Sequence, residues 1–139
     1  MKIGVLAERQ PGETRVAISP DSVKAYVRRG ANVAIEAGAG SGSFISDASF
    51  GEAGALVTSA QEAIKDADII LSVRRPAAAM LAGANSGALV IGLMDPYGDA
   101  AGIRALADAG LSVVSVELLP RITRAQSMDV LSSQANLAG

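Results

Sequence analysis

The polar residues of Pro120–Gly139 have the types and spacing of a ligand-binding helix. Thr123 and Gln126 are spaced as a helix capping box, which predicts that a helix begins near Thr123. Its polar face would then carry Gln126, Asp129, Ser133 and Asn136, with Ser132 at the edge. The buried side would carry Met128, Leu131 and Ala135. The polar face offers donors and acceptors suited to ribose hydroxyls and a carboxamide, although an ordinary amphipathic helix with a capped start explains the spacing equally well.

The composition narrows the chemistry that the chain can perform. It contains no histidine and no cysteine, which excludes Ser–His and Cys–His nucleophilic pairs, disulfides and thiolate metal sites. A net charge of −2 gives no general attraction to nucleic acid or to an anionic membrane. Apolar runs such as Ala88–Met94 are far shorter than the roughly 18 residues of a membrane span, and the N-terminus has no signal-peptide pattern.

Short apolar runs alternate with helical patterns along the chain, which predicts a single α/β domain. We expect a doubly wound, mostly parallel sheet with helices on both faces. The predicted strands are Lys2–Leu6, Ala31–Ala37, Leu56–Thr58, Asp68–Val73, Ala88–Met94 and Leu111–Leu118. The predicted helices run from Ser19–Pro20 to Gly30, over Ser46–Ala53, from Ser59 through Ala67, and over Asp99–Ala109, before the one near Thr123.

Arginines and glutamates follow two of the predicted strands, at the edge where open α/β sheets bind ligands. Glu8, Arg9, Glu13 and Arg15 lie in the loop after the first strand, and Arg74–Arg75 follows the fourth. The planar fork of Arg15 is suited to a carboxylate or phosphate, so Arg15 and Arg74 are candidate contacts for an anionic substrate. Solvated loops with weak surface ion pairs are the competing interpretation.

The Gly-rich stretch Gly38–Ser43 invites interpretation as a phosphate-binding loop. A dinucleotide fingerprint needs G-x-G-x-x-G directly between a strand and a helix, followed by an acidic residue about 20 positions later. Here the glycines have the spacing G-x-G-x-G and the next helix is delayed. We therefore expect a flexible turn, and no cofactor-phosphate loop within this chain.

The chain resembles a known family from end to end. Pro120–Gly139 is similar, almost residue for residue, to the signature of the α subunits (domain I) of proton-translocating NAD(P) transhydrogenases. Met1–Gly4, Glu8–Arg9, Gly12–Glu13 and Arg15–Ala17 resemble a motif that those subunits share with alanine dehydrogenase. Glu36–Gly40 resembles the Gly-rich turn of both groups, so only the final segment points to transhydrogenase.

The resemblance implies reversible hydride transfer between NAD(H) and NADP(H), coupled to proton movement through membrane subunits. Hydride passes directly between two nicotinamides, so no protein acid or base is needed at that step. By the same resemblance, Asp129 and Ser132 contact the nicotinamide end of NAD(H), Gln126 bridges towards the ribose of the other nucleotide, and Arg121 organises the loop. The implied catalytic residues are Gln126 and Asp129, and the implied cofactor-binding residues are Arg121, Ile122, Thr123, Arg124, Gln126, Asp129 and Ser132.

The resemblance also implies partners for this chain. It predicts that residues 1–139 are the N-terminal domain of the NAD(H)-binding component, followed by a Rossmann domain. NADP(H) would be held by a separate domain, and the full-length protein would be a cytoplasmic homodimer, peripheral to the inner membrane through membrane subunits. The isolated chain is then expected to be inactive and to bind NADH weakly.

Two other functions remain open. Alanine dehydrogenases rely on an arginine, a lysine and a histidine in this domain; Arg15 matches the arginine, whereas Arg74 and Leu93–Met94 occupy the other two positions. A flavodoxin-like or receiver-like interaction module is the non-enzymatic alternative. Receiver domains need an acidic pair at the first strand and a phosphoacceptor aspartate after another strand. Asp95 follows a strand in the manner of a phosphoacceptor, but no acidic pair accompanies the first strand.

Overall fold

A computed structural model describes residues 1–120, 122, 124 and 134 of the chain. The described strands are β1 (Lys2–Val5), β2 (Asn32–Glu36), β3 (Leu56–Thr58), β4 (Ile69–Arg74), β5 (Leu89–Leu93) and β6 (Ser112–Ser115). They form one sheet in the order β3-β2-β1-β4-β5-β6, and every neighbouring pair is parallel. This is the order of a doubly wound α/β sheet, which confirms the predicted fold class.

Helices cover both faces of the sheet. The described α-helices are α1 (Pro20–Arg28), α2 (Asp47–Glu52), α3 (Ala60–Ile64) and α4 (Ala100–Asp108). On one face, Val23 of α1 and Phe50 of α2 pack with Val5 of β1 in one buried cluster. On the other face, Ile64 of α3 and Leu106 of α4 belong to a second cluster. Burial on both faces explains why the strands are rich in Val, Ile and Leu.

Each of the four described α-helices begins at a residue whose side chain caps it. The oxygens of Ser19, Ser46, Ser59 and Asp99 accept hydrogen bonds from the backbone N–H groups of Ser22, Ser49, Glu62 and Gly102, at 3.2, 3.2, 3.3 and 3.0 Å. These bonds satisfy N–H groups that the first helical turn leaves unpaired. The four predicted helix starts are therefore confirmed.

Two predicted elements, α3 and β6, end three residues earlier than expected, whereas the other described strands and α-helices end within two residues of their predicted ends. Helix α3 stops at Ile64 rather than Ala67, because Asp66 adopts φ 55° and donates its N–H to the Gly83 carbonyl at 2.8 Å. Strand β6 stops at Ser115, and Val116–Leu118 forms a 3-10 turn. That turn directs the Glu117 carboxylate back to the end of β5, where it accepts the Met94 N–H at 3.0 Å.

The Gly38–Ser43 stretch is a closely packed turn rather than a flexible one. The Gly38 N–H is already bound by the Asp47 carboxylate at 2.9 Å. A Cβ on Gly42 would lie 2.7 Å from the Thr14 carbonyl oxygen, and one on Gly40 would lie 2.7 Å from the Phe50 ring. These glycines allow close packing against neighbouring backbone and side chains. This packing explains why glycines recur in the turn, so no bound phosphate is needed to explain them.

Candidate functional site

The strand order creates a crevice between the carboxyl ends of β1 and β4. These two strands are neighbours, yet the chain leaves β1 towards β2 and leaves β4 towards β5. The two loops diverge from each other, and open α/β sheets bind ligands at this topological switch point. The loop after β1 carries Glu8, Glu13 and Arg15, and the end of β4 carries Arg74.

At this crevice, Glu13, Arg15 and Arg74 form one ionic cluster, called here the Glu13 cluster. The Arg15 guanidinium binds both Glu13 carboxylate oxygens, from Nε and Nη2, each at 2.8 Å. Arg74 Nε donates to Glu13 Oε2 at 3.0 Å. The structure thus brings together the two predicted anion contacts, and Glu13 neutralises one of their two charges.

Glu13 is held in its ionised form by this arrangement. Its side chain is only 7% exposed, whereas those of Arg15 and Arg74 are 36% and 44% exposed. The hydrogen bonds from the Arg15 guanidinium lower the pKa of Glu13 to about 2, with further help from the Arg15 N–H and from Arg74, and against the opposing effect of burial. The same ion pair raises the pKa of Arg15. The cluster is therefore permanently charged at neutral pH.

Arg15 also reaches the far end of the chain. Its Nη1 donates to the side-chain carbonyl Oε1 of Gln134 at 3.1 Å, across 119 positions in the sequence. Gln134 lies within the segment Pro120–Gly139 that carries the predicted nucleotide contacts. This bond connects the switch-point loop with that segment.

Three glutamates hold the carboxyl ends of neighbouring strands at fixed positions. Glu36, at the end of β2, accepts the Ala7 N–H at 2.8 Å. Glu8 accepts the N–H groups of Val73 and Arg74, at 2.6 and 3.0 Å. Glu117 does the same for the residues after β5. Each carboxylate satisfies N–H groups at the end of an adjacent strand, so the binding edge is organised by charge-assisted hydrogen bonds.

Arg75 lies at the same edge as Arg74 and lines the cavity beside it, but its guanidinium is bound within the chain. Its guanidinium lies at the start of α4, where Nη1 donates to the carbonyl oxygens of Met94 and Asp99, at 2.9 and 3.2 Å. Nη2 forms an ion pair with the Asp99 carboxylate, and the Arg75 side chain is only 19% exposed. Gly102 allows the guanidinium to lie directly against the helix, because any Cβ there would collide with it. Arg75 therefore joins β4 to α4.

Two of the cavities beside the Glu13 cluster are large enough for a small ligand. The larger, of about 520 Å³, has an apolar floor from β4 and β5 and a rim that includes Arg15 and Gln134. Its floor and rim include Leu71, Val73, Ile91, Leu93, Val116, Ile18, Ser19, Ser22 and Ser43. A second cavity, of about 390 Å³, is lined by Gln10, Arg74, Arg75, Leu93, Met94, Asp95 and Glu117. An apolar floor with a few polar groups at the rim is typical of small-molecule sites.

Most of the predicted nucleotide contacts cannot be placed in this geometry. Ile122 and Arg124 are exposed. The residues Arg121, Thr123, Gln126, Asp129 and Ser132 lie outside the described part of the chain, as does the predicted start of the last helix. The sequence predicted anion contacts at Arg15 and Arg74 but no role for Glu13 or Gln134; the Glu13-x-Arg15 spacing was the available signal for the ion pair.

The described residues contain no group of three or more acidic side chains arranged to hold a metal ion. None of the helices in the described stretch is long and apolar enough to cross a membrane.

Comparisons with known proteins agree on one family. The family model for the alanine dehydrogenase/PNT N-terminal domain matches residues 4–138. An NAD(P) transhydrogenase alpha subunit of Rhodospirillum rubrum is 43% identical over 145 residues, which cover 100% of this chain and 38% of that protein. Alanine dehydrogenase of Mycobacterium tuberculosis (strain ATCC 25618 / H37Rv) is 36% identical over 140 residues, which cover 100% and 37%.

A solved structure resembles the chain still more strongly. The crystal structure of transhydrogenase from Sinorhizobium meliloti has a TM-score of 0.94 and 54% sequence identity, and the match covers 99% of this chain and 41% of that one. The chain thus spans about two fifths of the length of these relatives.

Proposed function

The chain belongs to the alanine dehydrogenase/PNT N-terminal domain family, and from that membership we propose that it is the N-terminal portion of the NAD(H)-binding component of an NAD(P) transhydrogenase. The proposed activity of the whole protein is reversible hydride transfer between NAD(H) and NADP(H). The identity to a transhydrogenase subunit, 43% against 36% for an alanine dehydrogenase, supports this choice within the family.

The Glu13 cluster is the observation that carries the choice between the two activities. Alanine dehydrogenase chemistry would need an open arginine fork, a lysine and a histidine. Here the Nε and Nη2 donors of Arg15 are bound by Glu13, and Arg74, at the lysine position, binds the same carboxylate. Arginine does not release its proton near neutral pH, so Arg74 cannot replace a lysine as an acid or base. At the histidine position, Leu93 and Met94 line the 390 Å³ cavity beside Arg74.

The described residues fit one end of a dinucleotide. The larger cavity, of about 520 Å³, is of the size that holds small ligands, and its apolar floor suits an aromatic ring. The Gly38–Ser43 turn is closed by its own packing and offers no phosphate loop, which supports the proposal that the pyrophosphate is held by the Rossmann domain that follows. The bound cofactor supplies the hydride chemistry, and the residues of this chain bind and orient it.

The roles proposed for individual residues follow the family resemblance. Gln126 and Asp129 are the proposed catalytic contacts, and the proposed cofactor-binding residues are Arg121, Ile122, Thr123, Arg124, Gln126, Asp129 and Ser132. The proposed partners are a Rossmann domain that follows in the same protein, a separate NADP(H)-binding domain, and membrane subunits. We further propose that the full-length protein is a homodimer.

Single-turnover hydride transfer in the full-length protein with its partners tests this function. Gln126→Asn and Asp129→Asn are each expected to slow the transfer about a hundredfold, since both remove contacts that orient the reacting rings. Thermal stability should change little. Gln61→Asn and Asp108→Asn, both on exposed helix positions, are matched controls that should leave the rate unchanged. Normal transfer in both site variants, or NAD-dependent oxidation of alanine by the wild type, would contradict the proposal.

A further inference from the structure

We infer that Arg15 is a positioning residue: Glu13 fixes its guanidinium in place, and the guanidinium holds Gln134 beside the nucleotide site. This inference rests on the proposed function and assigns a role to Arg15, which the transhydrogenase interpretation leaves without one. The contact is long-range, since Arg15 and Gln134 are separated by 119 positions in the sequence.

The Glu13 carboxylate anchors Arg15 for its hydrogen bond to Gln134. Its carboxylate accepts four hydrogen bonds: from Arg15 N at 3.1 Å, Arg15 Nε at 2.8 Å, Arg15 Nη2 at 2.8 Å and Arg74 Nε at 3.0 Å. Its own N–H is bound to the Gln10 carbonyl at 3.1 Å. A bidentate pair fixes the plane of the guanidinium as well as its position. The direction of the remaining Arg15 nitrogen, Nη1, is therefore determined before it meets any partner.

Gln134 accepts the hydrogen bond from that remaining nitrogen. The bond from Nη1 to Oε1 is 3.1 Å long, and both residues are partly buried. With it, each of the three guanidinium nitrogens has a partner within the chain. Arg15 is thus engaged as a structural connector through one N–H on each of its three guanidinium nitrogens.

The link lies where it can influence the nucleotide. Arg15 and Gln134 both line the larger cavity, whose floor is formed by β4 and β5. In the sequence, Gln134 comes two positions after Ser132 and five after Asp129, which are proposed nicotinamide contacts. Since hydride transfer depends on precise placement of the reacting atoms, holding Gln134 at the cavity rim would favour binding of the nicotinamide end.

Hydrogen exchange in the full-length protein without nucleotide tests the link itself. In Arg15→Gln, the backbone around Gln134 is expected to exchange about tenfold faster, because one charge-assisted bond is lost. Arg9→Gln is the matched control, since Arg9 lies on the same loop and pairs with Glu36 at 2.5 Å rather than with Gln134. Equal exchange in the two variants would overturn the inference, whether or not the protein binds NADH.

The dissociation constant for NADH in the full-length protein tests the positioning role. Arg15→Gln and Gln134→Leu are each expected to raise this dissociation constant about tenfold. The double variant should show about the same tenfold rise, because the two substitutions remove the same hydrogen bond. Gln134→Glu, which keeps the acceptor, should retain near-normal affinity. Effects that multiply in the double variant, or an unchanged constant in both single variants, would refute the role. Failure of the wild type to bind NADH would instead refute the proposed function.

Discussion

Replacing Glu13 by glutamine would test the central electrostatic feature of the site. The substitution keeps the size of the side chain and removes the charge that Arg15 and Arg74 share. Glutamine has one acceptor oxygen in place of two, so it cannot accept the bidentate pair from Arg15. Two guanidinium groups would then be left close together without a counter-charge, and we expect the folded state to lose stability.

The size of the loss follows from the pKa of Glu13. That pKa lies at about 2 in the folded chain against an ordinary value of 4.5, a difference of about 2.5 pH units. At about 1.36 kcal/mol per unit this corresponds to about 3.4 kcal/mol. Arg15 and Arg74 are 36% and 44% exposed, and screening by solvent reduces the expected contribution to about 2 kcal/mol.

The sign of the pH dependence is also determined. A carboxyl whose pKa is lowered by folding stabilises the folded state fully above its unfolded pKa, and this stabilisation is lost as the pH falls towards about 2. Near neutral pH, Glu13→Gln should therefore lower the free energy of unfolding by about 2 kcal/mol. At about pH 3, less than half of that difference should remain.

Urea unfolding of the wild-type and Glu13→Gln chains, followed by circular dichroism between about pH 7 and about pH 3, measures this difference directly. Glu52→Gln, on the exposed side of α2, is the matched control and should show a small difference at every pH. A Glu13→Gln difference that stays constant across the range would refute the reasoning, because it would show that the carboxylate charge contributes nothing.

Two further substitutions test the contacts that organise the binding edge. Gly102→Ala should lower the midpoint of thermal unfolding, because the added methyl group collides with the Arg75 guanidinium; Gly51→Ala, in an open helix position, should leave it unchanged or raise it. Glu8→Gln should cost about 1–3 kcal/mol in urea unfolding, because Val73 and Arg74 donate to different carboxylate oxygens and the amide would present an NH2 group to one of them. A midpoint equal to that of the wild type in Gly102→Ala, or an unchanged unfolding free energy in Glu8→Gln, would contradict these contacts.

The sequence predicted the elements of the fold better than their ends. Helix starts were correct because a capping side chain and the N–H it binds are three positions apart. The ends of α3 and β6 were wrong because distant groups determine them. Asp66 bonds to Gly83, and Glu117 turns back to the end of β5.

The candidate site was predicted only partially. Placing Arg15 and Arg74 at the carboxyl edge was correct, since parallel strands must end at the same edge. The bridging role of Glu13 and the capture of Arg75 by α4 were not foreseen. Both depend on side-chain directions that no local pattern specifies.

By itself, the sequence determined the succession of strands and helices along the chain, the absence of histidine and cysteine chemistry, and the family. Only the tertiary structure decided which charges meet. Glu13 lies 61 positions from Arg74, Glu8 lies 65 from Val73, and Arg15 lies 119 from Gln134. The physical reason is that caps and apolar periodicity act over one or two helical turns, whereas these bonds form only after the sheet has brought β1 beside β4.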